Sequence, residues 1–165
     1  MGTDIRAFIE YRSGQDDVWL PYADVSPERD SRVFAAIAGI RVEGATMLQP
    51  RGFPSDASAE FAYYVRVIPD DEFAADGLEP FIRASEAMDI IASGGHYRDE
   101  TRQHISRPDA TCPSWLTLPE IHNALETAGI TRDTLGMEWE ITLRVLEFLE
   151  NEFHEEPRLV FWFES

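Results

Sequence analysis

The chain is 165 residues long and holds 14 arginines, no lysine and 31 acidic residues, for a formal net charge of −17. A surface this negative repels nucleic-acid phosphates and anionic membranes before contact forms. Direct nucleic-acid or membrane binding is therefore not expected, and the partners that remain are cations, basic protein surfaces and concentrated salt.

With 44% hydrophobic and 12% aromatic residues the chain has enough apolar material for a core, so one globular domain over 1–165 is expected rather than disorder. The only cysteine, Cys112, rules out an internal disulfide. Charges interrupt the apolar stretch at the N-terminus, and no run approaches the length of a membrane span, so the expectation is a soluble, cytoplasmic protein.

In chain order, Ile5, Ala7, Ile9 and Tyr11 alternate with Asp4, Arg6, Glu10 and Arg12, which predicts a half-buried strand. Ser13 to Asp16 form a turn, and Val18-Trp19-Leu20 opens a second strand, giving a hairpin over 3–22; Pro21 places that strand at an edge or ends it early. Asp30 or Ser31 can cap a helix over 31–41 whose apolar face is Val33, Phe34, Ile37 and Ile40. Alternation of Phe61, Tyr63, Val65 and Val67 predicts a strand over 60–68, though helical spacing also fits. A helix is predicted over 80–93 and an irregular segment over 94–113. Thr117-Leu118-Pro119-Glu120 has the capping-box pattern, for a helix to Ala128 that stops at Gly129. A longer helix over 133–154 would bury Leu135, Trp139, Leu143, Leu146, Leu149 and Phe153. Leu159 to Phe163 are apolar on both faces, as in a strand covered above and below, placed beside the N-terminal strand. The fold class is α+β: a small mixed or antiparallel sheet of the N-terminal hairpin plus the C-terminal strand, packed by three or four helices.

Three blocks carry a resemblance. They are Met1-Gly2-Thr3-Asp4-Ile5-Arg6 through Arg12; Phe34 to Arg41 followed by Pro50-Arg51-Gly52-Phe53-Pro54; and Ser114-Trp115-Leu116-Thr117-Leu118-Pro119-Glu120-Ile121 with the closing Arg158 to Phe163. In this order they resemble a family of small, uncharacterised phage and prophage proteins, across nearly the whole chain. The resemblance implies no activity. Members commonly begin Met-Gly-Cys-Asp-Ile-His and often carry a histidine before the Ser-Trp block, a set that would suit a metal or catalytic cluster. Here those places hold Thr3, Asp4, Arg6 and, near the last, Cys112, so the resemblance implies that such a cluster is mostly lost.

Asp4 and Glu10 lie an even number of residues apart and share a strand face, where two carboxylates could do acid–base work with a loop histidine such as His96. The plain alternative is an exposed face with Arg6 and Arg12 as ion-pair partners. His96, His104, Cys112 and His122 are the soft-ligand candidates, but none has tight ligand spacing. No metal or cofactor is expected, and a buried thiol is the ordinary state for Cys112. Arg51 offers a fork that suits carboxylate or phosphate, with pairing to Asp56 as the structural alternative. The candidate contact surfaces are acidic: Glu138, Glu147, Glu150 and Glu152 on the long helix, and Asp70, Asp71 and Glu72 in the 70–79 run. The leading expectation is a phage-encoded accessory protein that binds a host protein with a basic surface, as a DNA mimic that inhibits a defence or nucleic-acid-binding factor. The alternatives are a small metal-dependent hydrolase or nuclease-like enzyme, and a salt-adapted housekeeping protein. Oligomeric state is left open.

Overall fold

A computed structural model describes residues 3–15, 18–40, 48–52 and 111–164, together with 54, 56–58, 61, 67–68, 82–83 and 89. Strand β1 (Asp4–Ser13) and strand β2 (Leu20–Asp24) form the N-terminal hairpin, and helix α1 spans Ser31–Ala38. Short strands β3 (Val67–Ile68) and β4 (Ile82–Arg83) pair in parallel. Strand β5 (Thr111–Thr117) runs directly into helix α2 (Leu118–Thr127). A 3-10 turn at Arg132–Thr134, helix α3 (Met137–Asn151) and strand β6 (Glu155–Glu164) complete the chain.

The main sheet has the order β2-β1-β6-β5, with every pairing antiparallel. The last strand lies between the first and β5, and residues from Pro157 to Phe163 are buried. Its two-sided burial follows from what covers each face. Leu159, Phe161 and Phe163 point with Ile5, Ala7 and Ile9 into a core closed by α1, α2 and α3. Val160 and Trp162 point the other way, against Phe8, Ala57, Phe61 and Trp115. Phe8 stacks on Trp162 with ring centroids 5.8 Å apart, and Phe61 meets both rings edge-on. Each fully buried Phe contributes about 1.5–3 kcal/mol through area removed from water.

Local sequence sets the helix ends. Asp30, in extended backbone, accepts from the Arg32 and Val33 amides at 2.9 and 3.4 Å, and Gly39 closes α1 at φ 64°. That left-handed cap is why the helix ends at Ala38 rather than near 41. Asp30→Ala is expected to cost about 1 kcal/mol in urea unfolding. Glu120 reaches back from α2 to accept from the Thr117 amide at 2.9 Å, as the capping-box pattern predicts. The cap of α3 is not local. Glu28 Oε2 accepts from the Glu138 amide at 3.0 Å, and the Glu28 carbonyl accepts from Trp139 Nε1 at 2.9 Å. A Cβ at Gly136 would collide with the Glu28 carboxylate, so glycine there admits the distant cap.

Several expectations change. Thr111–Thr117 is a strand where the sequence suggests that an irregular segment reaches residue 113. Ile82–Arg83 is a strand at the start of the expected 80–93 helix, and of the described residues in the expected 60–68 strand Phe61 is helical while Val67–Ile68 are extended. Short mixed apolar runs satisfy both periods, so tertiary pairing decides them. Leu135 lies before α3, not in it. Phe153 is 60% exposed, because the helix ends at Asn151 and His154, at φ 57°, turns the chain into β6.

Candidate functional site

On the sheet face away from α1, α2 and α3, strand register sets Glu10 directly opposite Arg158. Ile9 and Glu10 face opposite sides of the strand, and both are buried because both faces of the sheet are covered. The Glu10 and Arg158 side chains are 0% and 2% exposed. Arg158 Nε and Nη2 donate to Glu10 Oε2 at 2.8 and 2.7 Å, and the Ser58 amide donates to Oε1 at 2.7 Å. Arg158 Nη1 donates to Asp56 Oδ1 at 2.9 Å, and Trp19 Nε1 donates to Asp56 Oδ2 at 2.9 Å.

Aromatic faces complete the arrangement. The Arg158 guanidinium lies 3.8 Å from the Trp19 ring centre and 5.6 Å from that of Trp115. Arg12 lies over Trp19 and Arg51 over Trp115, each at 4.8 Å. The result is a ladder of alternating cations and indoles across the sheet. It ties Asp56, Ser58 and Trp19 to the buried Glu10–Arg158 pair and explains how a charge can be buried: each guanidinium nitrogen of Arg158 donates, and indole rings flank the group.

Chemically this leaves little for a substrate. Both oxygens of Glu10 already accept, from Arg158 and the Ser58 amide, and the Arg158 fork is committed to Glu10 and Asp56. Partial burial pushes the Asp56 carboxyl up, but the charge and hydrogen bonds of Arg158 and the Trp19 donor outweigh it and hold the group below the usual aspartate range. A carboxyl lowered in the folded state stabilises above its unfolded pKa, and that contribution is lost as pH falls through the folded value. Melting temperature should therefore be level from pH 7 to about 5 and fall below about pH 4. Asp56→Asn should flatten this acid limb in calorimetry; an identical limb would show that Asp56 plays no part in it.

Asp4 shares the strand face with Glu10, as its parity predicts, but is exposed and paired with Arg29 by both guanidinium contacts. Six residues of strand separate it from Glu10 by about 20 Å. The expected partners are also rearranged: Arg6 pairs with Glu164 and Arg12 with Glu156, because the neighbouring strand supplies their carboxylates. Arg51 holds Glu120 at 3.1 and 2.5 Å rather than Asp56, which Arg158 occupies. That contact, first among its causes, holds the Glu120 carboxyl below the usual range. Gly52, at φ 82°, brings its amide to the Pro113 carbonyl at 2.8 Å, so the Pro-Arg-Gly turn clamps β5. Cys112 is exposed, not buried, at φ 49° in the irregular part of β5. His122 meets Glu147 at 3.2 Å, and Glu147 also accepts from Arg132 at 2.5 Å. No group of three or more potential ligands that could hold a metal ion occurs among the described residues. His96, His104, Asp70, Asp71 and Glu72 lie outside the described residues.

The other surface of note is α3. Its core face is Trp139, Thr142, Leu143, Leu146 and Leu149. Its opposite face is also apolar: Met137, Ile141 and Phe148 recur at helical spacing and are exposed, Met137 by 74%. Glu138 and Glu152 are exposed beside this stripe, and Glu150 is exposed on the last turn. The carboxylates of these three residues make no ion pair among the described residues, unlike Glu140 and Glu147, which Arg132 and Arg144 engage. In the sequence the acidic periodicity of the outer face masks this stripe; the offsets of 4 and 7 residues that link Met137, Ile141 and Phe148 are the signal for it. No helix among the described residues is long and apolar enough to cross a membrane. No protein-family model, no curated protein and no solved structure matches the chain.

Proposed function

We propose that the protein is a binding module that engages a basic partner protein through the outward face of α3. One observation carries this. Every arginine with a described side chain is tied to a carboxylate, namely Arg6, Arg12, Arg29, Arg32, Arg51, Arg132, Arg144 and Arg158. Among the described residues the solvent-facing charge left over is acidic, and on α3 it borders an apolar stripe. A surface with exposed large apolar side chains and an acidic border is complementary to a basic, amphipathic one.

The resemblance to phage proteins supports a host partner, and the net charge supports competition with nucleic acid for it. In this reading the protein is a phage-encoded accessory protein that occupies a nucleic-acid-binding or defence factor in place of DNA. The test is capture from a bacterial lysate at moderate salt, with mass spectrometry of what is retained. A stoichiometric basic protein that duplex DNA displaces supports the reading. Capture of basic protein that DNA leaves in place contradicts mimicry, and retention of nothing above a neutral control contradicts partner binding.

A further inference from the structure

The exposed stripe of α3 ends at a cleft where the helix meets β1, β2 and the start of β6. The cleft has a volume of about 260 Å³ and is lined by Tyr11, Tyr22, Phe148, Leu149, Phe153 and Glu155. Four of its six residues are aromatic. Tyr11 and Tyr22 meet edge-to-face at 6.3 Å, and Phe148 and Phe153 do so at 5.1 Å. Tyr22, Phe148 and Phe153 are half-exposed or more. Glu155 Oε2 is buried and accepts from no donor among the described residues.

These features call for one kind of ligand. Aromatic rings present negative faces, and a cation desolvated among them is attracted by each ring. Glu155 adds a carboxylate to the lining, and a cation in the cleft would offset its charge without touching the buried Oε2. The cation cannot come readily from another copy of this chain. The sequence has no lysine, the arginines with described side chains are committed to carboxylates, and two copies would each bring a charge of −17. We infer that this cleft is a cage for the ammonium group of a lysine side chain presented by the partner protein. The inference rests on the partner reading above and names the group that partner would insert.

The test is an amide chemical-shift titration of the whole protein. The probes are a short Gly-Ser peptide bearing one lysine, the same peptide with norleucine, and tetramethylammonium chloride. The lysine peptide should shift Tyr22, Phe153 and Glu155 saturably, with norleucine at least about tenfold weaker. Tyr22→Ala and Glu155→Gln should each weaken the lysine peptide about tenfold while leaving the melting temperature within error, since one ring is half-exposed and the other change keeps the shape. Equal binding of norleucine, or unchanged binding by both variants, overturns the cage. Tighter binding of tetramethylammonium than of the lysine peptide would assign a small solute and overturn the lysine assignment. If Tyr22→Ala retains partner capture that reversal of Glu138, Glu150 and Glu152 abolishes, the cage fails while the acidic-face reading stands. If neither change affects capture, the acidic-face reading itself fails.

Discussion

Arg158→Ala is expected to lower the unfolding free energy by about 3–5 kcal/mol, the usual cost of leaving one member of a buried ion pair without its partner. The reason is the position of Glu10. Its side chain is 0% exposed, and with Arg158 gone the Ser58 amide would be its one remaining donor among the described residues. The indole faces of Trp19 and Trp115 would lose their shared cation, and Asp56 would keep only Trp19 of its two side-chain donors. Urea denaturation checks this directly. A paired replacement, Glu10→Leu with Arg158→Met, should recover much of the loss, because apolar groups of similar volume often replace buried ion pairs at little cost. A loss below about 1 kcal/mol in the single variant would mean that the site takes up water, contrary to the closed ladder described above.

Reversal of Glu138, Glu150 and Glu152 to arginine should weaken binding of the basic partner at least about 100-fold. A unit charge 4 Å from its complement contributes about 1 kcal/mol in water-like surroundings, so each reversal swings about twice that before screening. Three reversals therefore exceed the roughly 3 kcal/mol that a 100-fold loss requires, even with a substantial discount for salt. The fold should survive, since all three residues are exposed and none takes part in an ion pair among the described residues. Titration calorimetry with the captured partner provides the number, and loss of less than about threefold would remove α3 from the interface. Glu147 is not in this set because Arg132 and His122 hold it.

Much of the architecture is legible in the sequence because periodicity reports burial. The parity of Ile5, Ala7 and Ile9, the capping pattern at Thr117 and Glu120, and the two-faced apolar run from Leu159 to Phe163 each specify an element locally. They also place the C-terminal strand beside the N-terminal one. What the sequence hides is pairing at a distance. Nothing local tells Arg158 to choose Glu10 and Asp56, since any arginine can meet any carboxylate until the register between β1 and β6 is known. The same applies to Glu28, which caps a helix 110 residues further on. Strand β5 escapes because Cys112-Pro113 interrupts its pattern with an irregular pairing. Parity does put Asp4 and Glu10 on one face, but sharing a face is not proximity along a strand of ten residues.

The central claim is that the outward face of α3 receives a basic partner. Hydrogen exchange of the captured complex against the free protein tests it most directly. The account predicts slowed exchange across residues 137–153 and in the adjoining strand β2, with the ladder face of the sheet unchanged. Protection confined to the ladder face, or to the turn at residues 50–52, with α3 exchanging as in the free protein, would contradict it.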